Sequence, residues 1–489
     1  MFKELKSLSR ESLIYGVGHI LTRFVTFLLL PYYSYQLAPA EYGEVTLYYL
    51  FIAVVQTFYS YGLDIAFLRY YTLQKDQGAR RTIFGTTLLT SSLSSAALTL
   101  LLVIAAPQIS GWLIREPVHP EIAATMIRVC AAILFFDMLS TFPFIMLRGT
   151  HRPFHFATIK LFSVAVNIAL NILFLGVWRW SVAGVLWANF WASLLTLVIQ
   201  LPGIYRKAKP SFDRQLLRQM LAFGLPNIPT YLFVMVIELA DRKILEALCG
   251  LEEAGLYSAG YKLGMFMAVV TGAFRFAWQP FFLSHAEEGE APKLFARVLT
   301  YFVLICGFLF LSLSLLVPLL VTVNIPGLGN AIIEKRYWAG LGVFPLILLA
   351  HVFDGIYANL MAGVYIKKKT AVLPWVTGIA AMVNVGGNLL LVPSFGMWAA
   401  AWLTLIAFAI EAFLLWLFIR RSYPVPYEWG RLSHLTLIVG GLFCLGFLDV
   451  FHGLLPRIGL VAAMPVALWA TGFLRPEERR RLETLIRHP

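Results

Sequence analysis

The stretch Tyr301–Leu320, YFVLICGFLFLSLSLLVPLL, decides the fold, because none of its 20 side chains is charged. As an α-helix it would span about 30 Å, which is the thickness of the hydrocarbon core of a bilayer. It lies within a longer apolar segment, 294–320, and similar segments recur along the whole chain. The sequence therefore predicts an all-α protein that crosses a membrane many times.

The composition of the chain agrees with this prediction. Of the 489 residues, 59% are hydrophobic and 13% are charged, whereas soluble domains have about 25% charged residues, so a soluble enzyme is disfavoured. The net charge of +13 could indicate nucleic acid, but Lys and Arg retained on the cytoplasmic side of a multispanning protein explain it, and no nucleic-acid partner is expected. The four cysteines are scattered, so neither a metal site nor a disulfide framework is predicted.

Fourteen apolar segments, separated by charged or Pro/Gly-containing breaks, are predicted to be transmembrane helices. They lie at 12–35, 43–67, 82–106, 121–147, 157–177, 182–205, 220–248, 255–285, 294–320, 339–362, 372–392, 398–419, 433–450 and 457–474. The first is too long for the apolar region of a cleaved signal peptide, which has about 7–15 residues. With the N-terminus inside, about 27 Lys and Arg fall on the cytoplasmic side and about 5 outside, which predicts that both termini are cytoplasmic.

A repeated motif divides these helices into two lobes. Val166–Leu173 reads VNIALNIL in the fifth helix, and Val383–Leu390 reads VNVGGNLL in the eleventh, 217 residues later. Glu41–Gly43 and Glu253–Gly255 open the second and eighth helices at an offset of 212. Since each lobe has six helices, the lobes are predicted to be parallel repeats, with two extra helices after them.

The predicted domain boundaries follow from this repeat. The N-lobe covers 1–205, the C-lobe covers 220–419, and 420–489 holds helices 13 and 14 with a basic cytoplasmic tail. Between the lobes, 206–219 has apolar residues at helical spacing with arginines between them, which is typical of an amphipathic helix at the membrane surface. A plain solvated linker is the alternative. The loops are short, so no separate soluble domain is expected.

Motifs in both lobes resemble a known family. They are Gly16, Arg23, Pro31 and Leu37–Gly43 (LAPAEYG) in the N-lobe, and Asp241-Arg242, Gly255–Lys262 (GLYSAGYK) and Ala277–Pro280 (AWQP) in the C-lobe. On these residues the chain resembles the bacterial polysaccharide transporters of the multidrug/oligosaccharidyl-lipid/polysaccharide exporter superfamily. The resemblance implies a flippase, not an enzyme, that moves an undecaprenyl-pyrophosphate-linked oligosaccharide repeat unit to the outer leaflet for O-antigen (lipopolysaccharide) or exopolysaccharide synthesis.

Two relatives within the superfamily are alternatives. The similar peptidoglycan-precursor flippases also have fourteen helices, whereas multidrug extruders usually have twelve, so the extra pair implies a lipid-linked substrate. A multidrug or cation antiporter would need acidic lining for cationic drugs, and the buried charges here are mostly basic. A polysaccharide polymerase or ligase would need a catalytic outer loop. A non-transporting scaffold is disfavoured by the buried Arg23.

Five cations are candidates for a cavity that binds the substrate pyrophosphate, because a charge near the bilayer centre needs a partner or a cavity. They are Arg23, Arg128, Arg242, Lys262 and Arg275. Arg23 is favoured, since it lies roughly 17 Å into its helix and a guanidinium binds phosphate with two parallel hydrogen bonds. Its alternative is a structural ion pair, and that of Arg242 is a pair with Glu238 four residues earlier. Lys262 and Arg275 lie about 220° apart on one helix, so a straight helix cannot direct both to one cavity. Lys262 is preferred because it lies within the family-like stretch Gly255–Lys262.

Neutral and acidic residues complete the predicted site. Asn167, Asn171, Asn384 and Asn388 place two amides on one face of equivalent helices, which suits sugar hydroxyls, with interhelical hydrogen bonding as the alternative. His351 and Asp354 lie three residues apart and could take up a coupling proton or sodium ion. No cofactor is expected.

The expected partners follow from this interpretation. They are a lipid-linked oligosaccharide and membrane lipids, and the polysaccharide polymerase and assembly machinery are further candidates.

Overall fold

The computed structural model describes residues 29–150, 152–207, 212–285, 289–324, 331–367, 369–451, 453–476 and 478–479. These residues are mostly helical, and they contain no strand beyond an isolated bridge between Asn324 and Ala331. The predicted all-α class is confirmed.

Fifteen α-helices have both ends within the described residues, and 29–36 form the described end of a further helix. The first seven are α1 (Pro39–Ser60), α2 (Leu63–Leu73), α3 (Gln77–Ile104), α4 (Ala106–Leu113), α5 (Pro120–Gly149), α6 (Pro153–Asn171) and α7 (Ser181–Lys207). The other eight are α8 (Arg214–Gly224), α9 (Ile228–Cys249), α10 (Leu251–Ser284), α11 (Ala291–Thr322), α12 (Phe344–Ile366), α13 (Leu373–Ile419), α14 (Trp429–Leu445) and α15 (Leu454–Ala470). A π-helical turn, Ile172–Val177, continues α6.

Judged by length and apolarity, fewer helices of the described residues qualify as membrane spans than the fourteen predicted. Within the described residues, eight helices are long and apolar enough to cross a bilayer, and nine if α1 and α2, which meet at a 48° bend, count as one span. Helix α13 contains two predicted helices and is broken at Gly396, whose φ of 52° is left-handed. Helices α14 and α15 have only 17 residues each. The multispanning character is confirmed, and the count of fourteen stays a prediction.

Helix α9 is apolar at its start but highly charged in its second half. It carries Glu238, Asp241, Arg242, Lys243 and Glu246 within its 22 residues. Ionisable side chains within a membrane protein must find partners or line a cavity. Their partners are therefore central to the candidate site.

By internal contacts the chain forms two compact units. Unit 1 comprises Met1–Lys262 with Leu373–Ala407, and unit 2 comprises Leu263–Val372 with Phe408–Pro489. These limits differ from those of the predicted lobes, which are defined by the repeat and stay a prediction.

Each unit has its own aromatic core. In unit 1, the ring of Phe67 lies 5.1–6.0 Å from those of Tyr71, Phe84 and Phe142. In unit 2, the buried side chains of Trp278, Phe282 and Phe295 form a cluster with two alanines.

The short helix α8 is amphipathic. Its Met220 side chain is fully buried, whereas Arg214 and Arg218 are exposed. The Asp213 side chain caps the helix by accepting hydrogen bonds from the backbone N–H groups of Gln215 and Leu216. At its other end Gly224 packs on Gly62 so closely that a Cβ on Gly62 would lie 2.3 Å from the Gly224 carbonyl oxygen. An amphipathic helix is thus present at the end of the predicted linker, and its location at the membrane surface stays a prediction.

Candidate functional site

Helices α1 and α10 meet in unit 1 at equivalent positions of the predicted repeat. Gly43 and Gly255 bring the two backbones into contact, since a Cβ on Gly255 would lie 1.9 Å from the carbonyl oxygen of Pro39. One turn further on, the hydroxyls of Ser258 and Thr46 are 3.2 Å apart. Only glycine permits so close an approach of two helices.

The glutamates that open the two repeats make matching contacts. Glu41 Oε1 accepts a hydrogen bond from the Ser181 hydroxyl at 2.5 Å, at the start of α7. Glu253 Oε1 accepts one from the backbone N–H of Met397 at 2.7 Å, beside the break in α13. In each case the carboxylate accepts a hydrogen bond from a residue just after the helical segment that carries the Asn-x-x-x-Asn motif. This correspondence supports the predicted repeat.

Two further carboxylates accept hydrogen bonds from the backbone of the segment that precedes α5. Val118 donates its backbone N–H to Glu44 Oε2 at 2.8 Å, and Arg115 donates its backbone N–H to Glu246 Oε1 at 2.7 Å. The Arg115 guanidinium also donates to the carbonyl oxygen of Ala247 at 3.0 Å. Together with the Gly43–Gly255 contact, these bonds join α1, α9 and α10 at one end of unit 1.

Lys262 is a partly buried predicted cation that has no counter-ion among the described residues. Its partly buried ammonium lies 5.5 Å from the ring centre of Tyr33, and no carboxylate in the described part of the chain pairs with it. The Tyr33 hydroxyl donates to Asn171 Oδ1 at 2.9 Å, and Asn171 Nδ2 donates to the backbone oxygen of Asn167 at 2.8 Å. Lys262 and the two N-lobe asparagines are thus brought together through a tyrosine that the sequence analysis missed.

Arg242 is held inside a charged cluster. Its Nη1 donates to the Glu238 carbonyl oxygen at 2.5 Å and to Asp241 Oδ1 at 3.2 Å, and its side chain is 8% exposed. Its guanidinium lies 4.2 Å from the ring centre of Tyr261. Asp241 is therefore a carboxylate partner of Arg242. The charge of the predicted partner, Glu238, also acts on Arg242.

Asp241 is itself surrounded by donors. It accepts hydrogen bonds from the Tyr257 hydroxyl and, at 3.3 Å, from Thr404. These donors and the neighbouring guanidinium compensate for the burial of the Asp241 carboxylate. The sequence analysis names Asp241 in the Asp241-Arg242 motif but does not predict it as a site residue. Its signal in the sequence is an acid next to an arginine within an apolar segment.

The C-lobe asparagines repeat the local geometry of the N-lobe pair. Asn388 Nδ2 donates to the backbone oxygen of Asn384 at 2.8 Å, and both side chains are fully buried. Asn384 Nδ2 and Asn388 Oδ1 have no hydrogen-bond partner among the described residues. These two atoms are the free polar groups of the pair.

In unit 2, Arg275 and Asp354 form an ion pair. Arg275 Nη2 lies 2.5 Å from Asp354 Oδ1, and the side chains are 52% and 20% exposed, respectively. His351 is 3% exposed and its ring lies 5.7 Å from that of Phe408. Asp354 therefore pairs with Arg275 of α10, which the sequence analysis predicts as a pyrophosphate ligand.

Two further predicted site residues are Arg128 and Arg23. Arg128 is exposed on α5, and no ion pair joins it to another described residue. Arg23 lies outside the described residues. Asp137, in the middle of α5, accepts a hydrogen bond from Ser193 and interacts with the charge of Lys160. A lone ionisable residue in an apolar segment is the signal by which Asp137 could have been found.

No group of three or more His, Cys, Asp or Glu side chains within the described residues could hold a metal ion.

Comparisons with known proteins agree on the class of molecule. The sequence model of the family described as "Polysaccharide biosynthesis protein" matches residues 8–284. An "Uncharacterized membrane protein" of Haemophilus influenzae (strain ATCC 51907 / DSM 11121 / KW20 / Rd) is 23% identical over 395 residues, which are 78% of this chain and 89% of that protein.

Solved structures share the fold. The structure described as "Lipid II flippase MurJ, inward closed conformation" matches with a TM-score of 0.73 and 12% identity, over 94% of this chain and 99% of that chain. The inward-facing conformation of a multidrug resistance MATE family transporter of the MOP superfamily matches with a TM-score of 0.69 and 13% identity, over 87% of this chain and 99% of that chain. The first is described as a flippase and the second as a transporter.

Proposed function

Because the chain belongs to the polysaccharide biosynthesis protein family, we propose that it is a flippase for an undecaprenyl-pyrophosphate-linked oligosaccharide repeat unit. It would carry this unit across the inner membrane by alternating access, for the synthesis of a cell-surface polysaccharide. The transporter fold supports a carrier rather than an enzyme.

The observation that carries the proposal is the ammonium of Lys262, which has no counter-ion among the described residues. A charge near the bilayer centre costs about 2.5–3.5 kcal/mol on insertion scales, so a cation without a counter-ion needs a compensating function. The diphosphate of a lipid-linked sugar would supply the missing negative charge. Beside it, the Tyr33 hydroxyl and the amides of Asn167 and Asn171 offer the neutral donors and acceptors that sugars need.

The other predicted ligands enter this proposal for different reasons. Arg23 remains a proposed diphosphate ligand because of its predicted depth in the first predicted helix, and Arg128 remains a further candidate. Arg242 and Arg275 already have carboxylate partners, so each would have to exchange its partner for the substrate. Asn384 and Asn388 stay proposed sugar contacts, since two of their polar atoms are free.

Sidedness is part of the same proposal. With both termini in the cytoplasm, the starts of α1 and α10 would face the outside. The Gly43–Gly255 contact and the bonds from Glu44 and Glu246 would then have to break for release to the outer leaflet.

Flipping of a labelled lipid-linked oligosaccharide by the full-length protein in proteoliposomes tests this function. Lys262→Ala should lower the rate roughly tenfold or more, the scale of a hydrogen bond to a charged group, and Lys262→Arg should keep part of it. The control is Lys293→Ala, because Lys293 is an exposed lysine paired with Glu290. An unchanged rate in Lys262→Ala would contradict the assignment.

Parallel assays with a peptidoglycan precursor and a cationic drug test the two alternatives. Transport of either one in place of the lipid-linked oligosaccharide would replace the proposed substrate.

A further inference from the structure

A second basic feature of unit 1 is a small cavity of about 250 Å³. It is lined by Tyr71, Gln77, Arg80, Arg81, Phe84, Thr150 and Arg152. These residues come from the end of α2, the first turns of α3 and the connection from α5 to α6. We call this cavity the arginine pocket.

The charge of the arginine pocket is not balanced by its lining. Three guanidinium groups line it and no carboxylate does. Arg81 and Arg152 form no ion pair within the described part of the chain. The neighbouring carboxylate of Asp76 is engaged at the start of α3, where it accepts the backbone N–H of Ala79 at 2.6 Å.

Arg80 is held in place by its own contacts. Its Nε donates to the carbonyl oxygen of Gln74 at 2.6 Å, and its guanidinium lies 5.5 Å from the ring centre of Tyr71. A fixed guanidinium loses less conformational freedom when it binds a ligand than a mobile one does.

The positions of these arginines are unfavourable in the absence of an anion. Arg80 and Arg81 lie in the first turns of α3, and Arg152 directly precedes α6. The N-terminal end of a helix carries partial positive charge, which disfavours cations and favours anions. Retention of basic loops in the cytoplasm explains why arginines are present here, but not why two separate loops direct them to one cavity.

Size and location identify the class of ligand. The cavity is smaller than the roughly 300–1,000 Å³ of pockets for drug-sized molecules, so it suits a phosphate group rather than an oligosaccharide. Arginine binds phosphate through paired hydrogen bonds. The pocket also lies at the ends of the spanning helices α3 and α5, which is the level of lipid headgroups.

We propose that the arginine pocket binds the phosphate group of a membrane lipid. Two lipids offer this chemistry: a bulk anionic phospholipid and the diphosphate of a polyprenyl carrier. The proposal does not depend on which substrate the protein transports, because it concerns binding at a place separate from Lys262.

Native mass spectrometry of the purified full-length protein tests the proposal with three defined lipids. They are dioleoyl phosphatidylglycerol, undecaprenyl diphosphate and, as a lipid without phosphate, dioleoylglycerol. The double variant Arg81→Gln/Arg152→Gln should bind at least one of the two phosphate lipids roughly tenfold more weakly, the scale of a lost charged hydrogen bond, with dioleoylglycerol unaffected. Arg420→Gln/Arg421→Gln, which removes two exposed charges of unit 2, should bind all three as wild type does.

The lipids that bind more weakly to the Arg81→Gln/Arg152→Gln variant identify the source of the phosphate. Weaker binding of the diphosphate alone identifies a loading site for the polyprenyl carrier. Weaker binding of phosphatidylglycerol alone identifies a site for bulk lipid, and weaker binding of both identifies a general headgroup site.

Two results would overturn the proposal. One is unchanged affinity for both phosphate lipids in the pocket variant, and the other is an equal loss in the Arg420/Arg421 control, which would reflect surface charge alone. Arg81→Lys/Arg152→Lys keeps the charge and should bind between wild type and the glutamine variant, so that a folding defect in the latter can be recognised. Flipping is not measured, so this test can fail or succeed apart from that of Lys262.

Discussion

Gly43 and Gly255, 212 residues apart in the chain, pack backbone against backbone, and a Cβ on Gly43 would lie 2.1 Å from the carbonyl oxygen of Leu251. The same offset separates Thr46 from Ser258, whose hydroxyls are 3.2 Å apart. The two repeats predicted from sequence therefore touch through their own equivalent residues.

The first prediction concerns this contact. Gly255→Ala should destabilise the protein by about 1–3 kcal/mol, because the added methyl group overlaps backbone atoms that cannot move aside easily. Thermal unfolding in detergent measures the effect. Gly272→Ala is the matched control on the same helix, since no atom lies within 4 Å of its added Cβ, and it should be neutral or stabilising because alanine favours helix. Equal melting temperatures for the two variants would contradict the close contact.

The second prediction concerns topology. Reporter fusions after Arg81, Lys209 and Arg421 should report the cytoplasm, and fusions near Pro117 and Asn330 should report the outside, because basic residues are retained inside. A clear reversal at one of these positions would break the map of fourteen helices.

The third prediction concerns ion coupling. We expect Asp354→Asn to leave substrate binding intact but to slow turnover about tenfold, with loss of the response to a proton or sodium gradient, because the acid of the Arg275–Asp354 pair can no longer bind the ion. Flipping in proteoliposomes under imposed gradients measures this.

The control for this prediction is Glu290→Gln, which neutralises an exposed acid paired with Lys293. If Asp354→Asn keeps the wild-type response, or if wild type runs equally fast with both gradients collapsed, Asp354 serves only as the structural partner of Arg275.

The fourth prediction concerns the C-terminal tail. There the carboxylate of Glu478 is hydrogen-bonded to side chains of both α11 and α14. Its carboxylate accepts hydrogen bonds from the Tyr301 hydroxyl at 2.5 Å and from Arg431 Nη2 at 2.9 Å. Although burial raises the pKa of Glu478, these hydrogen bonds, that of the Arg475 backbone N–H and the charge of Arg431 outweigh it, and the net pKa lies below the usual value.

A lowered pKa fixes the sign of the pH effect. The ionised Glu478 stabilises the tail above its unfolded pKa of about 4.3, and this stabilisation is lost as the pH falls through the lower folded value. Amide exchange near 473–479, corrected for intrinsic rates, should therefore accelerate on acidification below about pH 4. Glu478→Gln should remove most of this dependence at 473–479. A wild-type pH profile in the variant would mean that another group is responsible.

The sequence determined the class of the fold. Runs such as Tyr301–Leu320 leave a helix inside a bilayer as the stable arrangement, because backbone hydrogen bonds must be satisfied within each segment. The repeat was also readable, since Val166–Leu173 and Val383–Leu390 keep one pattern. The break in α13 was readable too, since Gly396 lies between the predicted helices 372–392 and 398–419. The partners of the charges in α9 were not, because they depend on contacts that an apolar run does not encode.

Only the tertiary structure decided which ionisable groups are paired. Helical periodicity gives the face of a side chain but not the helix that lies opposite, and in a membrane protein that neighbour decides whether a charge is compensated. Asp354 pairs with Arg275, 79 residues away, and Tyr33 reaches Asn171 across 138 residues. Lys262 can be recognised as a cation without a counter-ion among the described residues only after these partners have been assigned, because an unpaired charge is a property of the packed helices and not of any one segment.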